Sequence, residues 1–108
     1  MALDADANAA VADRQNNVFL SAASIWESAI KTATGRLTLD KALDVAADEA
    51  GFAELPVSWG HAVRAASLPP LHSDPFDRML VAQALEENLV LLTRDPLVRQ
   101  YPVATMAA

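Results

Sequence analysis

Four acids stand where their types and spacing allow carboxylate chemistry. Asp74 and Asp77 open the stretch Ser73-Asp74-Pro75-Phe76-Asp77-Arg78-Met79-Leu80-Val81-Ala82-Gln83-Ala84-Leu85. Asp95 lies two residues after Thr93, at the end of the apolar run Leu89-Val90-Leu91-Leu92-Thr93, and Glu27 follows Val18-Phe19-Leu20 by seven residues. Carboxylates gathered at one place repel each other unless a proton or a cation bridges them. Hard oxygen donors suit Mg2+ or Mn2+. A cation held this way activates water and stabilises charge on a phosphodiester, which is the chemistry of a metal-dependent nuclease. Thr93 can hold a water or a carboxylate through its hydroxyl. His61 and His72 have no partner at metal-ligand spacing and read as surface or packing residues. Arg64, Arg78 and Arg94 can reach phosphate, although surface arginines are the plainer reading.

Each acid also has a purely structural reading. Asp74 is a good N-cap and Pro75 sits at the first helical position, where its absent N–H costs nothing. Asp77 then falls in the first turn, where it caps the helix and meets its dipole. It also begins the apolar stripe Leu80, Val81, Ala84, Leu85, and a charge on a buried stripe needs a partner. Glu27 completes a capping-box pattern with Ser24, and Asp95 caps a helix started by Pro96.

The elements that must position these acids follow from periodicity. Residues 4–13 form a short helix with Leu3, Ala7, Ala10 and Val11 on one face and Asp4 as cap. Val18-Phe19-Leu20 is a buried strand. A helix runs from Ser24 to about Ala33 with Trp26, Ala29, Ile30 and Ala33 packed. Leu39, Leu43, Ala46, Ala47 and Ala50 give the next helix, stopped by Gly51 at C′. Glu54-Leu55-Pro56-Val57 is an edge strand because of its proline. Ser58 caps a helix that packs through Trp59, Ala62, Val63 and Ala66 and ends at Pro69-Pro70. The helix opened by Asp74 closes near Asn88. Leu89–Thr93 is a strand of the kind buried on both faces. A short helix from Pro96 and an edge strand over Pro102–Met106 complete the chain. Strands alternating with helices imply an α/β fold with a parallel sheet covered on both faces. Ligands bind such sheets at the carboxyl ends of the strands, where Glu27, Asp77 and Asp95 fall.

Composition bounds the function. The 108 residues suit one domain, and 53% hydrophobic against 20% charged residues gives a folded core. With no cysteine there is no disulfide, thiolate metal site or cysteine nucleophile, which fits a reducing cytoplasm. No apolar run approaches the roughly 20 residues of a membrane span, and no signal peptide is expected. Eight basic residues against fourteen acidic ones, a net charge of −6, leave no strong basic patch for nucleic acid. They leave room for an enzyme that meets phosphate through a cation.

The order and spacing of Val18-Phe19-Leu20-Ser21-Ala22-Ala23-Ser24-Ile25-Trp26-Glu27, Ile30-Lys31, Gly35-Arg36-Leu37, Glu54-Leu55-Pro56-Val57, Leu68-Pro69-Pro70-Leu71-His72, Asp74 to Ala84 and Leu91-Leu92-Thr93-Arg94-Asp95 resemble a PIN-domain ribonuclease of the VapC toxin type. The resemblance runs from Leu3 to Met106. It implies a three-layer α/β/α fold, a site of about four acids holding Mg2+ or Mn2+, and hydrolysis of RNA. It further implies a homodimer held inactive by a cognate VapB-like antitoxin. By residue, it makes Glu27, Asp77 and Asp95 catalytic metal-site acids and gives Asp74 a usually acidic position. The family also begins with a central strand ending in its principal metal-binding Asp, followed by a helix. Asp4 lies too close to Glu27 to be that residue. Residues 1–108 are therefore expected to form a single PIN-like domain lacking roughly 20 N-terminal residues, with nuclease activity belonging to the full-length form. The alternative is a non-catalytic remnant or binding module that sequesters the antitoxin through the helices around Trp26 and Trp59. A phosphotransfer domain ranks third, because no paired lysine follows a late strand.

Overall fold

Helices and strands alternate in the order that periodicity predicts. The computed structural model describes residues 5–108. It contains α1 (Ala5–Ala12), β1 (Phe19–Ser21), α2 (Ala22–Ala33), α3 (Leu43–Glu49), β2 (Ala53–Leu55), α4 (Trp59–Ser67), α5 (Pro75–Glu87), β3 (Leu91–Thr93), a 3-10 turn at Val98–Gln100 and β4 (Thr105–Ala107). Asp4, the predicted cap of α1, and Leu3 lie outside the described residues. No described helix is long and apolar enough to cross a membrane. The strands pair in parallel, as an α/β fold requires, but two by two: β1 with β2 and β3 with β4. Each pair belongs to its own compact unit, one of residues 17–57 and one of residues 58–108 together with the N-terminal segment.

In the unit of residues 17–57, Phe19 stands opposite Ala53, Leu20 opposite Glu54 and Ser21 opposite Leu55. Ser21 ends β1 and caps α2 at once, its hydroxyl accepting the Ala23 N–H at 3.1 Å. The cap therefore forms three residues before Ser24, because the first hydroxyl after the apolar run takes it and Ala22-Ala23 readily continue as helix. The predicted Ser24–Glu27 box is not the N-terminus, and Glu27 sits in the second turn rather than the opening one. The packed face also differs from the spacing argument. Ala23 is buried, while Trp26, Ala29 and Ala33 face solvent. Two three-residue strands offer too little surface to cover a broad helix face. α3 starts at Leu43 instead of Leu39. It ends as predicted, with Gly51 at φ +79° and a Schellman pair, Phe52 N–H to Ala47 O and Gly51 N–H to Asp48 O, both at 3.0 Å. β2 stops before Pro56, so the proline removes no ladder bond.

In the other unit the core is Leu68, Val81, Ala82, Val98 and Tyr101, with Ala65, Leu85, Leu91 and Val103 against it. Ser58 caps α4 as predicted, with its hydroxyl on the His61 N–H at 3.1 Å. The helix then packs through His61, Ala65 and Leu68, not through the predicted Trp59, Ala62, Val63 and Ala66. Trp59 is 93% exposed and Val63 71%. The reason is steric. A small and polar stripe lets α4 lie close to the buried Val81, Ala82, Gln83 and Ala84 of α5. His61 is buried there with its hydrogen bonds made: Nδ1 accepts the Ser58 N–H at 3.0 Å and Nε2 meets Glu87 Oε1 at 2.7 Å. His61 is thus a packing residue, as read from sequence.

β3 is shorter than the apolar run Leu89–Thr93 and only half-buried, and Val90 is exposed. Among the described residues β3 has one neighbouring strand, so it is not enclosed as a central strand would be. β4 begins at Thr105 rather than Pro102. α5 matches its prediction closely, from the Asp74 cap to Asn88, whose φ of 54° ends the helix in the left-handed region.

Candidate metal centre

The loop between α4 and α5 is held from beneath by two side chains. Pro69 and Pro70 stop α4, leaving carbonyls without helical partners. Arg78, in the first turn of α5, turns back to supply donors. Its Nη2 donates to Ala65 O at 2.9 Å and Leu68 O at 3.0 Å, and its Nη1 to Pro69 O at 3.1 Å. Tyr101, 3% exposed, donates its hydroxyl to Pro69 O at 2.9 Å and accepts the His72 N–H at 3.0 Å. Arg78 Nη1 reaches the same hydroxyl at 3.3 Å. Arg78 is therefore a staple of this loop rather than a free surface arginine. Arg64 pairs with Glu86 at 3.1 Å and Arg94 donates to Ala108 O at 2.6 Å.

The stapled loop presents His72 to two of the predicted acids. Its Nε2 lies 2.7 Å from Asp95 Oδ2 and 3.1 Å from Asp77 Oδ2. Its Nδ1 accepts the Asp74 N–H at 3.1 Å. Asp77 comes from the first turn of α5, whose positive end favours an ionised carboxylate. Asp95 comes from the turn after β3. Thr93 Oγ1 accepts the Asp95 N–H at 3.1 Å, and Asp95 Oδ1 accepts the Leu97 N–H at 2.8 Å. The hydrogen bond from His72, and then that from Leu97, hold the Asp95 carboxyl below the usual aspartate range. The imidazole is the floor of the site, its side chain 10% exposed against 28% for Asp77 and 34% for Asp95.

The other predicted residues have different positions. Asp74 caps α5, its Oδ1 accepting the Phe76 N–H at 2.8 Å and the Asp77 N–H at 3.4 Å. Thr93 supports Asp95 through its side-chain hydroxyl, which accepts the Asp95 backbone N–H. Glu27 lies in the unit of residues 17–57, where it pairs with Lys31 one helical turn on, at 3.2 Å. Pro96 starts a turn rather than a helix, the 3-10 residues beginning at Val98.

His72 is the residue that spacing missed. A search for a second His or Cys at ligand spacing passes it over, because its partners are the carboxylates. The available signal was its place two residues before the cap Asp74, where an imidazole reaches the backbone N–H of the helix entrance.

The residues present fit a hard divalent cation. Among the described residues His72, Asp77 and Asp95 each offer one donor atom, and these lie within 4.8 Å of one another. Oxygens on opposite sides of one such ion stand about 4.2 Å apart for Mg2+ and about 5 Å for Ca2+. Two half-exposed carboxylates, each fixed at its backbone, form an electronegative mouth over a partly buried ring.

No curated protein and no solved structure matches the chain. A family model does, that of the PIN domain, over residues 2–103. PIN domains are generally nucleases, typically with divalent metals, so the Asp77–Asp95 pair falls in a family whose chemistry such a pair serves. On a match of this extent, the chain belongs to the PIN domain family.

Proposed function

We propose that this protein is a VapC-type toxin, an endoribonuclease dependent on Mg2+ or Mn2+, with Asp77 and Asp95 as metal-holding acids. The observation that carries the proposal is the meeting of Asp77 and Asp95 over His72, from two elements 18 residues apart in sequence. A divalent cation bound there supplies Lewis-acid stabilisation of phosphoryl charge and lowers the pKa of water. The chain's own residues set the stage for it. The first turn of α5 positions Asp77, Thr93 and the Leu97 N–H aim Asp95, and the Arg78–Tyr101 staple holds the loop that carries His72. With a net charge of −6, the chain carries no strong basic surface for RNA, and the acids at the site would meet phosphate only with a cation between.

We read residues 1–108 as one PIN domain. In this reading the full-length form is a cytoplasmic homodimer restrained by a VapB-like antitoxin. RNA cleavage with Mg2+ or Mn2+ by the full-length form tests it: Asp77→Asn abolishes cleavage, and a pure variant that still cleaves refutes it.

The exposure of Trp59 and Trp26 favours a second reading, a non-catalytic module that sequesters antitoxin. It predicts antitoxin binding without metal-dependent cleavage.

A further inference from the structure

His72 touches both acids with a single nitrogen, and its other nitrogen decides what the first can do. Nδ1 faces the Asp74 backbone N–H at 3.1 Å. A backbone N–H only donates, so Nδ1 presents its lone pair and the ring proton of a neutral imidazole resides on Nε2. That Nε2–H meets Asp95 Oδ2, 2.7 Å away, and Nε2 lies 3.1 Å from Asp77 Oδ2. Ring and backbone are both fixed. The His72 N–H donates to the Tyr101 hydroxyl at 3.0 Å, and the side chain is nine-tenths buried.

We propose that His72 is a positioning residue that keeps its Nε2–H and clamps Asp77 and Asp95 together from behind, rather than a metal ligand. The inference rests on the reading of Asp77 and Asp95 as cation-holding acids. Direct ligation requires Nε2 to lose its proton and the ring to carry it on Nδ1. Two N–H groups would then face each other at the Asp74 backbone, and the entrance of α5 would lose a hydrogen bond where its cap is built. The clamp needs none of this. An N–H bonded to one carboxylate and 3.1 Å from the other offsets part of their repulsion. Ligating groups held by an outer hydrogen-bonding shell typically lose 10–100-fold in metal affinity when that shell is removed.

The test is nitrogen NMR of the His72 ring in the 108-residue chain, without metal and with saturating Mg2+, with the Asp77 and Asp95 carboxyl 13C shifts followed in the same titration. The clamp predicts a protonated Nε2 and an unprotonated Nδ1 in both states. It also predicts Mg2+ affinity about 10-fold weaker or more in His72→Ala. His72→Gln, whose amide N–H reaches a similar point, should restore affinity to within a few-fold. A proton on Nδ1 in the Mg2+-bound state, or equal affinities in wild type and His72→Ala, overturns the clamp while leaving the cation site standing. Carboxyl shifts that do not respond to Mg2+ at all overturn the cation reading, and the clamp with it.

Discussion

Tyr101→Phe removes one oxygen and should loosen the whole floor of the site. The hydroxyl is buried, donates to Pro69 O, accepts the His72 N–H and lies within reach of Arg78 Nη1. Pro69 O keeps a second donor in Arg78, and Arg78 keeps its bonds to the Ala65 and Leu68 carbonyls, so neither is orphaned. The His72 N–H loses the acceptor it has. A donor left without a partner costs about 1–3 kcal/mol, and the ring itself still fills its place in the core. The expected destabilisation is therefore about 2 kcal/mol. For a chain of this size that lowers the melting temperature by roughly 10 °C. Thermal unfolding followed by circular dichroism, with a urea titration to check that the m-value is unchanged, measures it. A variant within about 0.5 kcal/mol of wild type refutes the staple, because surface-like tolerance is incompatible with a hydroxyl that carries three contacts.

Other perturbations separate caps, charges and surface. Asp74→Ala removes the α5 cap and should cost about 1 kcal/mol in urea unfolding, while Asp74→Asn should cost little. Asp95 has a carboxyl held below its ordinary range, so its contribution to stability is present above the unfolded-state pKa and is lost as pH falls through the lower folded-state value. Asp95→Asn should therefore flatten the acid limb of the stability–pH curve, as read by acid unfolding. Trp59→Ser replaces a side chain that is 93% exposed and should change stability by less than about 0.5 kcal/mol. If the protein binds its antitoxin through α4, the same variant should weaken that binding, as a pull-down against purified antitoxin would record.

The parts of the fold written in local chemistry were legible. Asp74-Pro75 opens α5, Gly51 closes α3 and Ser58 opens α4 because caps and turns depend on a few neighbouring residues. Faces were less legible. The spacing of Trp59, Val63 and Ala66 looks like a packed stripe, yet α4 buries His61, Ala65 and Leu68 because tight helix contact rewards small side chains and a satisfied imidazole over bulk. Strand pairing was not legible at all beyond its parallel sense, since partners are set by long-range contacts.

The site divides along the same line. Asp77 and Asp95 could be placed together from topology, because the entrance of α5 and the turn after β3 lie on one end of the fold. His72 could not, because its role comes from a loop pinned by Arg78 and Tyr101, residues 6 and 29 positions away. The Ser24–Glu27 box failed for a simpler reason: Ser21 offers an equivalent hydroxyl one turn earlier.

Calorimetric titration of Mn2+ into wild-type, Asp77→Asn, Asp95→Asn and Asp74→Asn proteins tests the metal centre most directly. The cation site predicts binding to the wild type, weakened at least about 10-fold by either Asp77→Asn or Asp95→Asn and nearly unchanged by Asp74→Asn. Equal affinities for all four proteins would contradict it and leave Asp77 and Asp95 as acids that hold a histidine and a helix end in place.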